Sequence, residues 1–202
     1  MMKKRKKSFS RFGYFLLWSL VAGSLFYWVY RNDPRRFRRF FIDDTKYAVE
    51  IRAAAARHGV PPQLVRALIR KESGFDAGAR GKAGEIGLMQ LLPSGAAAEW
   101  ARVNKVPRPD ERSLFDVPVN LDIGCWYLGR ALNRWSCCKD KEILALAEYN
   151  AGARNADRWK PADPAGDVLS KIDYPGTADY VMEIMKWYRR YLSETALEKD
   201  LQ

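Results

Sequence analysis

Glu72 is the residue of this chain best placed for proton chemistry. It ends a segment, residues 62–71, whose apolar side chains fall at Leu64, Val65, Leu68 and Ile69. That spacing is one face of a helix, and Glu72 lies one turn beyond Leu68 on the same face. A carboxylate turned towards a core is costly to bury in its charged form. Its pKa is therefore expected above the free value of about 4.3, which is how a proton donor for neutral pH is made. A plainer reading leaves Glu72 at an amphipathic boundary, paired with Arg66 or Arg70, and within this segment both readings stand. The glycine-rich stretch that follows holds Gly74, Gly78, Gly81 and Gly84, and can bring backbone close to a ligand. Next comes Gly87-Leu88-Met89-Gln90-Leu91-Leu92-Pro93, an apolar run with one embedded amide. If buried, Gln90 must be satisfied by backbone or by a bound molecule.

Other reactive side chains are few. His58 is the only histidine, and beside Gly59 it reads as an exposed helix-end residue. No Gly-x-Ser-x-Gly elbow supports a Ser-His-Asp triad. The three cysteines, Cys125, Cys137 and Cys138, match no metal spacing. They are consistent with one disulfide from Cys125 to either neighbour in an oxidising compartment, or with free thiols. No metal and no cofactor is implied. Glu148 reads as a solvent-facing or helix-end charge, with a second catalytic carboxylate as the minor alternative.

These residues must be positioned by helices. Helical segments are expected over residues 43–57, 62–71, 94–103, 114–133, 141–150 and 177–192, with Pro62 opening the second and Gly152 stopping the fifth. The last carries Tyr180, Val181, Ile184, Trp187, Tyr188 and Tyr191 nearly on one side. No alternating strand pattern runs longer than a few residues, so the fold class is mainly α. At 202 residues, with 48% hydrophobic content, the chain can bury one good core.

The net charge of +11 is concentrated at one end. Residues 1–39 hold eleven Lys/Arg against a single acid, Asp33, whereas residues 40–202 carry 24 bases and 23 acids. A nearly neutral body removes the main support for nucleic-acid binding. Phe12 to Tyr30 contains no charge after Arg11, and nineteen residues at about 1.5 Å each approach the bilayer's hydrocarbon thickness. Trp18, Tyr27, Trp28 and Tyr30 suit the interfaces, and no small-residue cleavage site closes the run. The expected order is a basic cytoplasmic tail at 1–11, a transmembrane signal anchor at 12–30 and a basic juxtamembrane linker at 31–44. A domain at 45–192 and a tail at 193–202 complete it.

Taken together, Glu72-Ser73-Gly74-Phe75, Gly87-Leu88-Met89-Gln90-Leu91-Leu92-Pro93, Ala147-Glu148-Tyr149-Asn150-Ala151-Gly152 and Tyr180-Val181 resemble the soluble-lytic-transglycosylase-like family of peptidoglycan lyases. Asn120, Gly124 and Tyr127-Leu128 are similar to the family's helix between the second and third motifs. The resemblance implies a lysozyme-like helical domain with a groove for a glycan strand. By the same carry-over, Glu72 matches the catalytic general acid. Gln90, Tyr149, Asn150, Tyr180, Ser73 and Met89 match substrate-binding positions, and Gly152 matches the glycine of the groove-lining motif. Two departures stand out: Gly81 where many members have a serine that contacts the substrate acetamido group, and Glu85 where a small or neutral residue is usual.

The implied reaction is cleavage of the MurNAc–GlcNAc β-1,4 bond of peptidoglycan with a 1,6-anhydro product, by one carboxyl group instead of the two of most glycosidases. The implied setting is the bacterial inner membrane, with the catalytic domain on the periplasmic side and an envelope protein complex as a further partner. Two alternatives differ in kind. One is a non-catalytic glycan-binding scaffold, which Gly81 favours. The other is a hydrolytic muramidase with Glu85 or Glu148 as base.

Overall fold

The computed structural model describes residues 42–200 together with residues 18–21, 23, 24, 27 and 31. Most of the expected anchor at 12–30 and most of the linker at 31–44 therefore lie outside the described residues. Among the described residues, no helix is long and apolar enough to cross a membrane. The chain divides into two units, residues 1–42 and residues 43–202. Within the first unit, the described residues from 18 to 31 are helical and Ile42 is not.

The second unit is mainly helical. Its elements are α1 (Ala48–Arg57), α2 (Pro62–Glu72), α3 (Ala96–Asn104), α4 (Val117–Arg134), α5 (Lys141–Ala151), α6 (Ala153–Trp159) and α7 (Pro175–Asp200). Single 3-10 turns at Ser113–Phe115 and Leu169–Lys171 interrupt the connections. Among the described residues there is no strand, only isolated antiparallel bridges pairing Ile86 with Arg80 and with Leu91.

α2 starts where Pro62 supplies a helical φ at a position whose N–H has no helical acceptor. Its face of Leu64, Val65, Ala67, Leu68 and Ile69 is fully buried, and it packs most extensively on α7. Burying each of the larger side chains contributes about 1.5–3 kcal/mol, so the end of α2, and Glu72 with it, is held rigidly. α4 is the central helix and is contacted by α1, α3 and α5. Its first turn is capped by Asp116, which accepts the Val119 N–H at 3.1 Å and adds about 1 kcal/mol. Trp135 and Trp159 close the core, both almost wholly buried.

Boundaries move where local chemistry competes with the periodic pattern. α1 begins at Ala48 instead of residue 43, because the Asp43 carboxylate accepts the Thr45 N–H and hydroxyl and sets a turn. α6 was not foreseen: only Ala156 and Trp159 of its seven residues are buried, too short a signal to register as periodic. α7 continues to Asp200, through residues 193–200, where no glycine or proline stops it.

Candidate active site

Glu72 sits on the last turn of α2, and Ser73 ends the helix with its hydroxyl on the Ile69 carbonyl. Gly74 and Phe75 then take positive φ angles of 61° and 65°, which turn the chain sharply away. The partner of Glu72 comes from α7: the Tyr180 hydroxyl donates to Oε1 at 2.5 Å. Arg66 and Arg70 reach Asp44 instead, at 2.7 and 3.0 Å. Lys71 bridges to Glu183. Burial pushes the Glu72 carboxyl up to about 7, against the opposing pull of the Tyr180 hydrogen bond and the Lys71 charge, while the Glu85 charge adds to the rise. The result is a carboxyl that holds its proton near neutrality and keeps a hydrogen-bonded orientation.

The Gly87–Gln90 segment is a tight turn, closed by reciprocal hydrogen bonds between the backbones of Ile86 and Leu91 at 3.0 and 2.9 Å. Gly87 has φ +78°, and a side chain there would strike the Asn120 amide and the Leu114 carbonyl. Gln90 also has positive φ, 47°, which a non-glycine residue adopts only when its surroundings enforce it. The enforcing residue is Asn120 of α4, which is buried. Its amide donates to the Ile86 and Leu114 carbonyls, and its oxygen accepts the Met89 N–H at 2.8 Å. Gly124, one turn along α4, leaves the room that the Met89 side chain fills. Gln90 spends its own amide donor on the Gly87 and Ala79 carbonyls.

α5 brings Tyr149 and Asn150 to the same place. The Tyr149 hydroxyl donates to the Met89 carbonyl at 2.8 Å, and its ring meets Tyr127 of α4 edge-on at 5.5 Å. Burial holds the Tyr149 and Tyr180 hydroxyls well above the ordinary tyrosine value, so both remain donors. Asn150 Oδ1 accepts the Thr177 hydroxyl. Glu72, Glu85, Gln90, Tyr127, Tyr149 and Asn150 line one cleft of about 300 Å³, with Leu91, Leu92, Gly95 and Gly152 completing its walls.

Of the residues singled out from the sequence, Glu72, Gln90, Tyr149 and Asn150 thus share the cleft, and Tyr180 reaches Glu72. Ser73 does not line the cleft and serves the end of α2. The Met89 side chain is wholly buried, and its backbone is what braces Tyr149 and Asn120. Tyr127 and Asn120 carry site geometry that their types alone did not disclose. Their signal in the sequence was the likeness of Asn120, Gly124 and Tyr127-Leu128 to the family's helix between the second and third motifs.

Glu148 is buried, not solvent-facing: its carboxylate accepts the Trp135 indole N–H at 2.8 Å, and Arg134 lies at 3.8 Å. That leaves Glu85 as the second carboxylate of the cleft among its lining residues. His58 is half-buried instead of exposed, with Nε2 2.9 Å from Asp122 at the end of α1. All three cysteines are free thiols, and the Cys137 sulfur lies 3.7 Å from that of Cys138.

The cleft thus presents a carboxyl raised to about 7 at the end of one helix, faced by the turn that carries Gln90 and by Tyr149 and Tyr180, which is a site equipped for proton transfer near neutral pH. The chain belongs to the transglycosylase SLT domain family, whose sequence model matches residues 50–168. It is 33% identical over 98 residues to the membrane-bound lytic murein transglycosylase E of Buchnera aphidicola, covering 48% of this chain and 44% of that one. With the membrane-bound lytic murein transglycosylase C of Yersinia pestis it shares 30% identity over 169 residues, 72% of this chain and 47% of that one. Its fold superposes on an inactive mutant of the lytic transglycosylase Slt from Pseudomonas aeruginosa with a TM-score of 0.66 at 26% identity, over 75% of this chain and 25% of that one. The chain spans less than half the length of these relatives.

Proposed function

We propose that this protein is a membrane-anchored lytic transglycosylase that cleaves the MurNAc–GlcNAc β-1,4 bond of peptidoglycan and leaves 1,6-anhydro-MurNAc ends. The observation that carries this reading is the Glu72 carboxyl, raised to about 7 and hydrogen-bonded by Tyr180 in the cleft of an SLT-family chain. Protonated Glu72 donates to the glycosidic oxygen as the bond to the MurNAc anomeric carbon breaks, and the GlcNAc side leaves as an alcohol. The 2-acetamido oxygen of MurNAc supports the electron-poor carbon. Glu72, now a carboxylate, takes the proton of the same sugar's C6 hydroxyl, whose oxygen closes the anhydro ring. Glu72 ends the cycle protonated, and no water is consumed.

A group that acts first as acid and then as base works best with a pKa near the working pH. Tyr180 assists by holding the carboxyl in place and easing its ionised form. Gln90, Tyr149 and Asn150 are assigned to sugar binding; Ser73 and Met89 support the site from behind. The anchor at residues 12–30 would hold the domain on the periplasmic face of the inner membrane, beside its polymeric substrate and any envelope complex that uses it. N-terminal sequencing of protein from the membrane fraction tests this: an intact start supports the anchor, and cleavage near residue 23 overturns it.

Digestion of purified sacculi, with the fragments identified by mass spectrometry, tests the reaction. Anhydro ends, one water lighter than reducing ends, are the expected product. The presence of Glu85 in the same cleft favours one second reading, a hydrolytic muramidase in which Glu85 activates water. Reducing ends would establish that reading in place of the first. Undigested sacculi that nonetheless retain bound protein would point to a scaffold.

A further inference from the structure

Two positions that depart from the family pattern, Gly81 and the cleft-lining Glu85, are physically linked. An ideal Cβ built on Gly81 falls 2.1 Å from Glu85 Oε2, 2.8 Å from Glu85 Cδ and 2.9 Å from Gln90 Oε1. Gly81 does not sit at positive φ, so its backbone is open to any residue. What excludes a side chain at 81 is chiefly the carboxylate of Glu85 occupying its space. The segment between them forms a short loop: Gly81 N–H donates to the Glu85 carbonyl at 2.8 Å, and Ala83 N–H donates to Glu85 Oε2 at 3.0 Å. This loop folds the carboxylate back over Gly81 and beside Gln90.

Most polar groups in the cleft are already engaged. Glu72 receives Tyr180, the Tyr149 hydroxyl is spent on the Met89 carbonyl, the Gln90 donor on two carbonyls and Asn150 Oδ1 on Thr177. An ionised carboxylate offers about four acceptor sites, and the Ala83 N–H occupies one of them. Glu85 thus brings acceptor capacity to a wall of the cleft shared with Glu72 and Gln90.

We propose that Gly81 and Glu85 are a matched pair in which the Glu85 carboxylate, seated in the side-chain space of position 81, accepts a hydrogen bond from an N–H or O–H donor of the bound amino sugar next to the scissile bond. The inference rests on the cleft being the glycan site, and it assigns Glu85 as a substrate-binding residue that positions the sugar against Glu72.

The pairing makes a reciprocal test available. Binding of N-acetylglucosamine oligosaccharides is measured by calorimetry, and sacculus turnover is measured in parallel, on the full chain. Glu85→Ala is expected to weaken oligosaccharide binding by about ten- to a hundredfold, the range for a hydrogen bond to a charged group. Gly81→Ala keeps the carboxylate but displaces it, and should weaken binding by a similar factor. Gly81→Ser/Glu85→Ala vacates the space and returns a hydroxyl to it, and should recover most of the loss.

A second readout is the pH profile of turnover. The charges and dipoles acting on Glu72 are Tyr180, Lys71 and Glu85, and removing Glu85 alone should move the alkaline limb to lower pH. Glu85→Ala with unchanged binding, or a double variant weaker than either single one, would overturn the pairing. If the wild type binds oligosaccharide through Glu85 but never cuts sacculi, the pairing stands and the enzymatic reading falls. If it cuts sacculi and Glu85→Ala matches it in both measurements, the pairing alone falls.

Discussion

Two carboxyl groups lie along the same pair of helices and are driven in opposite directions. Glu72 at the end of α2 receives the Tyr180 hydroxyl of α7 at 2.5 Å; Asp44, before α1, receives the Tyr191 hydroxyl of α7 at 2.6 Å. The two tyrosines are eleven residues apart, about three helical turns, and so share one face. Burial is the largest influence on each carboxyl and pushes both upwards. At Asp44 it is outweighed: Tyr191, Arg66 and Arg70 together hold the group below the ordinary aspartate range. At Glu72 no guanidinium is among the influences, and the carboxyl rises to about 7. Arg66 and Arg70, the partners first considered for Glu72, belong to the structural carboxylate. A tyrosine hydroxyl orients either group; the arginines decide which one is a fixed anion and which one can exchange its proton. The Arg66 and Arg70 guanidiniums are themselves stacked over the Tyr191 and Trp187 rings, 3.8 and 3.7 Å from the centroids, which keeps them on the Asp44 side.

The contrast makes its largest demand at Glu72→Gln. Sacculus turnover should fall by about 10²–10⁴-fold, the usual range for loss of a positioned acid–base group. The same variant should be more stable than wild type at pH 8. Because the folded carboxyl binds its proton more tightly than the unfolded one, wild type loses stability as pH rises from 4.5 through about 7. Glutamine escapes that loss, which amounts to about 1–3 kcal/mol. Thermal denaturation of both proteins at pH 4.5 and pH 8 measures it, and a gain that does not grow with pH would refute the assignment of the raised carboxyl.

Replacing Arg66 and Arg70 together by methionine should destabilise the domain by about 2–4 kcal/mol, less than for a fully buried pair since these groups keep some solvent contact. Adding Asp44→Asn should return part of that loss, because no uncompensated anion is left. For wild type the sign is opposite to that at Glu72. The Asp44 contribution is complete above the unfolded value of 3.8 and is lost as pH falls through the lower folded value. Urea unfolding below pH 4 should therefore show a steeper loss in wild type than in Asp44→Asn.

The smallest effects separate the tyrosines. Tyr180→Phe removes a hydrogen bond that favours ionised Glu72, so the alkaline limb of turnover should move upward, with activity reduced by about tenfold. Tyr191→Phe should cost about 1 kcal/mol of stability and leave the pH profile of turnover unchanged. A shift of that profile in Tyr191→Phe would mean that the two carboxyls are not independent.

Most of the helical framework was legible because helix formation is announced by neighbours three and four residues apart. The α2 face, Pro62 at its start and Glu72 on its inner edge are all local facts, and so is the stop at Gly152, whose φ of 82° suits glycine. The elements misjudged were those where local chemistry is weak or competing: the turn at Asp43, the short α6 and the unstopped end of α7. Glu148 was misjudged for a different reason. Its position at a helix end suggested solvent, yet the Trp135 indole, thirteen residues earlier, provides a buried partner. His58 likewise found Asp122, sixty-four residues away.

What the sequence by itself determined is the inventory and its spacing: one acid on an apolar helical face, a glycine-rich loop after it, a near-neutral body and a basic, apolar N-terminal end. Only the tertiary structure decided which partner each charge receives. Tyr180 meets Glu72 across 108 residues of chain, Asn120 pins the turn that carries Gln90 from thirty residues away, and Glu85 takes the space left open by Gly81. Helical periodicity fixes the face on which a side chain lies, whereas a proton's affinity depends on desolvation and on charges within a few ångströms. Those arise only when distant helices close upon one another.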